Sequence, residues 1–267
     1  MSTNYRTFQI INVVAVALTI IMNMLANILP FNGVTTGEVA DNFLNYFTPL
    51  GYVFGIWGII YILLIVFIYY QSKSSQVEAE YLGKIGYLYL LGAVFNVVWL
   101  LVFHYSFGNE PLLVWTEPLI VGLLIVLLIT YVRLEIGVKE VPRMEKLAVH
   151  LPVSVYLGWI SLATIANTAS VLNTYFTFAD GIQHIWTALV LVVALLLVSL
   201  MLVLRRDLAY ALVVVWAAPG IAFKWPAIPI IFWTAILVTL IVVLLIIVVP
   251  LIRKKKIVDY YLVRNLE

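Results

Sequence analysis

Runs of about 20 apolar residues recur along nearly the whole chain, each long enough to cross a bilayer as a helix. Eight are read from the sequence, at 8–29, 50–70, 83–105, 112–133, 149–172, 184–204, 208–224 and 228–251. Of 267 residues, 64% are hydrophobic and only 10% charged, where a soluble domain carries about a quarter charged. So much apolar surface has no soluble interior to fill, and the solvent must be largely lipid. The fold class that follows is all-α: a polytopic integral membrane protein of about eight transmembrane helices. The first run lacks a clear cleavage site and reads as a retained helix rather than a signal peptide. The seventh, "LAYALVVVWAAPGIAFK", is short and carries Pro219 and Gly220, so a kinked or partly re-entrant segment is expected there.

Charge orders these spans. With the N-terminus inside, every Lys and Arg among the 15, Arg264 included, falls on the cytoplasmic side except Lys224. The loops 30–49, 106–111 and 173–183 contain neither residue type. This bias predicts an even number of spans and both termini cytoplasmic. The loop "FNGVTTGEVADNFLNYFTP" is acidic and aromatic, and reads equally as a lid or as a plain surface loop. With no Cys, disulfides and thiolate chemistry are excluded. The basic residues form no stripe, so nucleic acid is not an expected partner. The three His show no i,i+4 pairing and imply no metal site. No nucleophile–base pair or phosphate loop is present, so hydrolytic and phosphoryl chemistry have no support and no catalytic residue is assigned.

Polar and aromatic residues inside the spans carry the functional information. In "VYLGWISLATIANTASVLN", Tyr156, Trp159, Ala163, Asn167 and Ser170 fall within an arc of roughly 80° of a helix. Gly158, Ala166 and Ala169 lie towards the other side, where a neighbouring helix could approach. Gly92, Asn96, Trp99 and Phe103 share a face of the third run, and Phe54, Trp57 and Tyr61 a face of the second; Asn12, Asn23 and Asn27 stack along the first. Interfacial belts account for Trp115, Trp186, Trp225 and Trp233, and Asn side chains can hold helices together. Trp57, Trp99 and Trp159 instead lie well inside their spans beside polar residues. Large rings with a few amide groups are what a flat hydrophobic ligand needs. The expected lining is Trp57, Tyr61, Asn96, Trp99, Tyr156, Trp159, Ala163 and Asn167, with Tyr52 and Phe54 at the mouth. Glu117, in "VWTEPL", is read first as an interfacial helix-start acid, with an intramembrane functional carboxylate as the alternative.

Three stretches resemble the TspO/MBR family of tryptophan-rich sensory and translocator proteins: "NYFTPLGYVFGIWGIIYILL", "NVVWLLVFHY" and "YLGWISLATIAN". They are similar to its second-, third- and fifth-helix motifs and occur in the family's order. The resemblance covers roughly residues 1–175. It implies a five-helix transmembrane bundle there, often dimeric; the three-helix transmembrane extension at 184–252, which has no counterpart in that five-helix core, and the basic cytoplasmic tail at 253–267 are read from the apolar runs and the charges. It also implies a membrane receptor in a bacterial plasma membrane, with a tetrapyrrole such as haem or porphyrin, a sterol or a similar apolar small molecule as ligand. A small-molecule transporter and an oxidative porphyrin-modifying enzyme are the alternative readings.

Overall fold

The computed structural model describes residues 5–43 and 45–262, and all regular structure among them is helical. Arg264, one of the expected cytoplasmic cations, lies outside the described residues, as does the end of the basic tail. In chain order the helices are α1 (Arg6–Ile28), α2 (Thr36–Asn42), α3 (Ile56–Gln71), α4 (Glu80–Ile85), α5 (Leu88–Ser106) and α6 (Thr116–Arg133). The second half runs α7 (Arg143–Glu145), α8 (Leu151–Tyr175), α9 (Asp180–Arg205), α10 (Leu208–Lys224), α11 (Pro229–Ile252) and α12 (Ile257–Leu262). One π-helical turn, Lys146–His150, joins α7 to α8 without a break.

Among the described residues, seven helices, counted with the helical turns that lead into them, are long and apolar enough to cross a membrane. The expected seventh span, α10, has 17 residues and falls short of that length. At 1.5 Å per residue it covers about 25 Å, against a hydrocarbon core of about 30 Å. It is nevertheless one continuous helix through Pro219. The third span starts later than its apolar run suggests, because Gly86 at φ 52° separates α4 from α5. The fifth begins earlier, at Arg143.

The polarity of the fifth span follows from where it sits. Within its most apolar window α8 is 72% buried by protein, whereas α11 is 22% buried. It is the central helix, packed against α3, α6 and α10. Gly158 lets α10 come close: a Cβ there would lie 3.1 Å from Val213 Cγ2. The α1, α5 and α6 helices pack beside one another, and α9 and α11 close around α10. The lipid-facing surface is aliphatic, with Leu196, Leu204, Leu240 and Leu244 among its exposed residues. Asp207 fixes the start of α10. Its carboxylate accepts from the Tyr210 backbone N–H at 3.0 Å and from the Tyr131 hydroxyl at 2.9 Å, tying α10 to α6.

Candidate functional site

The hollow forms where three ring-bearing helices meet under the 30–49 loop. The second span contributes Phe54 and Trp57, α5 contributes Trp99 and Phe103, and α8 contributes Trp159, Leu162, Ala163, Ala166, Asn167 and Ser170. Those α8 positions recur every three or four residues and so share one helix face. Thr36 and Ala40 of α2, with Asn45, Phe47, Thr48 and Pro49 after it, form the roof. Ala217 and Ile221 of α10 complete the wall. The cavity itself holds about 70 Å³, and about 700 Å³ is reached only when the open mouth and the solvent space in it are included, so a ligand of several fused rings enters only as the roof and rings move apart.

The rings pack edge to face. Trp57 and Trp159 have centroids 6.1 Å apart at 80°, and Phe54 meets Trp159 at 6.0 Å and 81°. Trp99 stacks on Phe103 at 4.9 Å. These are favourable quadrupole arrangements that leave aromatic surface towards the hollow. The Trp159 Nε1–H is buried without a hydrogen-bond partner. An unpaired buried donor costs about 1–3 kcal/mol, and such groups collect where function competes with packing.

Two chains of paired polar groups lie below and behind the rings. Asn23 donates to Asn96 Oδ1 at 2.6 Å, and Asn96 donates to the Tyr156 hydroxyl at 3.2 Å. This bridge links α1, α5 and α8 one side-chain layer beneath the hollow. Higher up, the Trp99 indole N–H donates to Asn167 Oδ1 at 3.3 Å, and Asn167 Nδ2 donates to Glu117 Oε2 at 2.8 Å. Thr168 donates to the other Glu117 oxygen at 2.6 Å. Glu117 thus turns its carboxylate into the bundle towards α8. The helix-start reading explains its place in the first turn of α6, and does not explain these two partners.

The roof is held on two sides. Thr35 and Glu38 form a capping box at the start of α2, which keeps the Glu38 carboxyl below its usual range through hydrogen bonds from the Thr35 backbone and side chain. Thr36 pairs with His104 Nε2 at 3.0 Å, while Asn32 donates to the His104 and Phe107 carbonyls. Asn45 donates to Ser170 Oγ at 2.8 Å. On the α10 side, Lys224 meets Asp41 at 2.7 Å, the Leu50 N–H donates to the Gly220 carbonyl at 3.1 Å, and Trp216 Nε1 donates to the Val53 carbonyl at 3.0 Å. Lys224, the one cation expected off the cytoplasmic side, is therefore a partner of the roof.

Of the expected site residues, Phe54, Trp57, Trp99, Trp159, Ala163 and Asn167 are brought together around the hollow. Tyr61 stacks on Trp57 from outside the lining, at 5.8 Å. Asn96 and Tyr156 lie in the layer beneath. Tyr52 is 48% exposed, with its ring against Trp216, and is not part of the lining. Ala166, expected on a helix-contact face, lines the hollow instead. Ala217 and Ile221 carried no signal, being small aliphatic residues in an apolar run.

A tetrapyrrole fits this lining only in part. Its flat face matches the rings, but among the described residues no Lys or Arg lines the hollow to pair with propionates. Both nitrogens of His104 are engaged, by Thr36 and by the Phe31 carbonyl, so that ring is not free to bind iron. Among the described residues no group of three His, Cys, Asp or Glu could hold a metal ion.

A family model described as TSPO-like protein matches residues 9–248. The match continues past the stretch carrying the three motifs and takes in α9, α10 and most of α11. No curated protein and no solved structure matches the chain.

Proposed function

Because this chain belongs to the family of TSPO-like proteins, we propose that it is a membrane receptor that binds a flat hydrophobic ligand in the aromatic hollow under the 30–49 loop. The observation that carries this reading is the convergence of Trp57, Trp99 and Trp159, from three separate helices, on one apolar space. Indoles serving only as interfacial anchors would face headgroups, and the residues that line this hollow would have no reason to leave it open. The unpaired Trp159 N–H supports the same reading. Uncharged flat ligands fit the lining better than porphyrin dicarboxylates, for want of a cation. The mouth is proposed to face the outer side, because the basic residues gather at the other ends of the spans.

The test is saturable loss of Trp emission when phenanthrene is added to the protein in nanodiscs. Removing two ring partners, each worth about 0.5–1.5 kcal/mol, should weaken binding roughly tenfold in the Trp57→Ala/Trp159→Ala double variant. Equal saturation in the wild type and the double variant would overturn the assignment.

A further inference from the structure

The charge around the hollow is one-sided. Among the described residues none that lines it is charged, yet a carboxylate stands directly behind its wall: Glu117 binds Asn167, and Asn167 lines the space. Glu117 Oε2 accepts from Asn167, and Oε1 lies 2.6 Å from the Thr168 hydroxyl, which also reaches the Thr164 carbonyl at 2.9 Å. Ion pairs among the described residues include Lys84 with Glu80 and Glu135, Lys139 with Glu80, and Lys224 with Asp41; none of these includes Glu117. The cation at the rim, Lys224, is occupied by Asp41 and the Pro49 carbonyl. His104 is engaged away from Glu117, through Nδ1 with the Phe31 carbonyl and through Nε2 with Thr36. A helix-start acid that served only the α6 dipole would need no partner on α8.

A negative charge without a counter-ion, one amide away from a cage of indole and phenyl faces, is a recognisable chemical environment. Ring faces attract organic cations through their quadrupoles, most strongly when water is excluded. A carboxylate in a medium of low effective dielectric adds to that attraction and opposes anions. We infer that the hollow selects a flat organic cation, of the N-alkylated heteroaromatic or aryl-ammonium class, over uncharged or acidic molecules of the same shape. Glu117 sets this preference without touching the ligand. Its field acts through Asn167, which holds Trp99 by the indole N–H while Phe103 covers one face of that ring. This inference rests on the receptor reading above and deepens it.

Three probes of nearly one shape test it: N-methylacridinium, anthracene and anthracene-9-carboxylate, each titrated by Trp quenching in nanodiscs of zwitterionic lipid. The wild type should bind the cation about tenfold or more tightly than anthracene, as one charge a few ångströms away implies at an effective dielectric near 20. The carboxylate should bind weakest. Glu117→Gln should reduce the cation-to-neutral ratio about tenfold, the ratio being read within the variant so that any shift in anthracene affinity caused by moving Asn167 cancels. A wild type that binds all three alike, or prefers the anion, overturns the inference without any variant. So does a Glu117→Gln protein that binds anthracene normally and keeps the cation preference. If anthracene itself fails to saturate, the receptor reading fails first and this one with it.

Discussion

Gly220→Ala tests whether α10 is part of the site or merely beside it. A Cβ on Gly220 would lie 2.3 Å from Val53 Cγ2 and 3.3 Å from Pro49 Cβ. Carbon atoms pack best at about 3.5–4.0 Å, so the rim would have to move by about 1 Å or more. Val53 cannot step aside, because it is fully buried and β-branched, with a stiff χ1. Overpacking of this kind costs about 1–3 kcal/mol. The helix itself gains up to about 1 kcal/mol from replacing Gly by Ala, which would mask part of the cost. Gly58→Ala supplies the correction. It also lies within a helix, and a Cβ there meets nothing within 4 Å. The difference between the two variants isolates the clash, and corresponds to roughly 2–12 °C in midpoint at about 2–4 °C per kcal/mol. Thermal unfolding of both proteins in one detergent measures it. Because Pro49 lines the hollow and the Leu50 N–H bonds to Gly220, phenanthrene affinity should fall in Gly220→Ala and hold in Gly58→Ala. Two variants of equal midpoint and equal affinity would refute the claim that α10 shapes the rim.

Three further outcomes follow from the roof and the floor. Asp41→Lys should speed ligand release several-fold in stopped-flow measurements, with stability changed by less than about 1 kcal/mol because the pair is exposed; Asp41→Lys/Lys224→Asp should restore the slow rate, and a double variant as fast as the single one would exclude a strap. The Glu38 carboxyl sits below its usual range in the folded protein, so the stability of the capping box is complete above that range and is lost as pH falls through the folded value. Release should therefore be steady from pH 7 to about 5 and faster below it, and Glu38→Gln should blunt the acceleration. Tyr156→Phe leaves the Asn96 amide without its acceptor and should destabilise the protein by about 1–3 kcal/mol, read as a lower unfolding midpoint.

The spans were legible because bilayer thickness dictates a length and an apolar composition, and both can be counted. Their ends were less so. Gly86 interrupts an apolar run that looks continuous, and α10 remains a helix across a proline. The ring positions of the hollow were legible because Trp57, Trp99, Trp159 and Asn167 occupy helix faces too costly to turn towards lipid. Tyr61, Asn96 and Tyr156 have the same signature and lie one layer away. Helical periodicity fixes the face of a residue and not its depth relative to a cavity. Tyr52 was drawn to the mouth by its neighbours in sequence, whereas its ring found Trp216, a partner 164 positions along the chain. The α10 wall was invisible for a related reason. Ala217 and Ile221 differ in no way from lipid-facing residues until tertiary packing places them. Glu117 was noticed as an acid in a span, but its meaning depends on Asn167 and Thr168, which only the packing of α6 on α8 brings within reach.

The central claim, that three indoles enclose a ligand space, is tested most directly by photolabelling. A flat, uncharged polycyclic diazirine would be bound in nanodiscs, irradiated, and the labelled residues located by mass spectrometry. The account predicts label on Trp57, Trp99, Trp159 or their lining neighbours, displaced by excess phenanthrene. Label confined to lipid-facing positions such as Trp186 and Trp233, and insensitive to competitor, would contradict it.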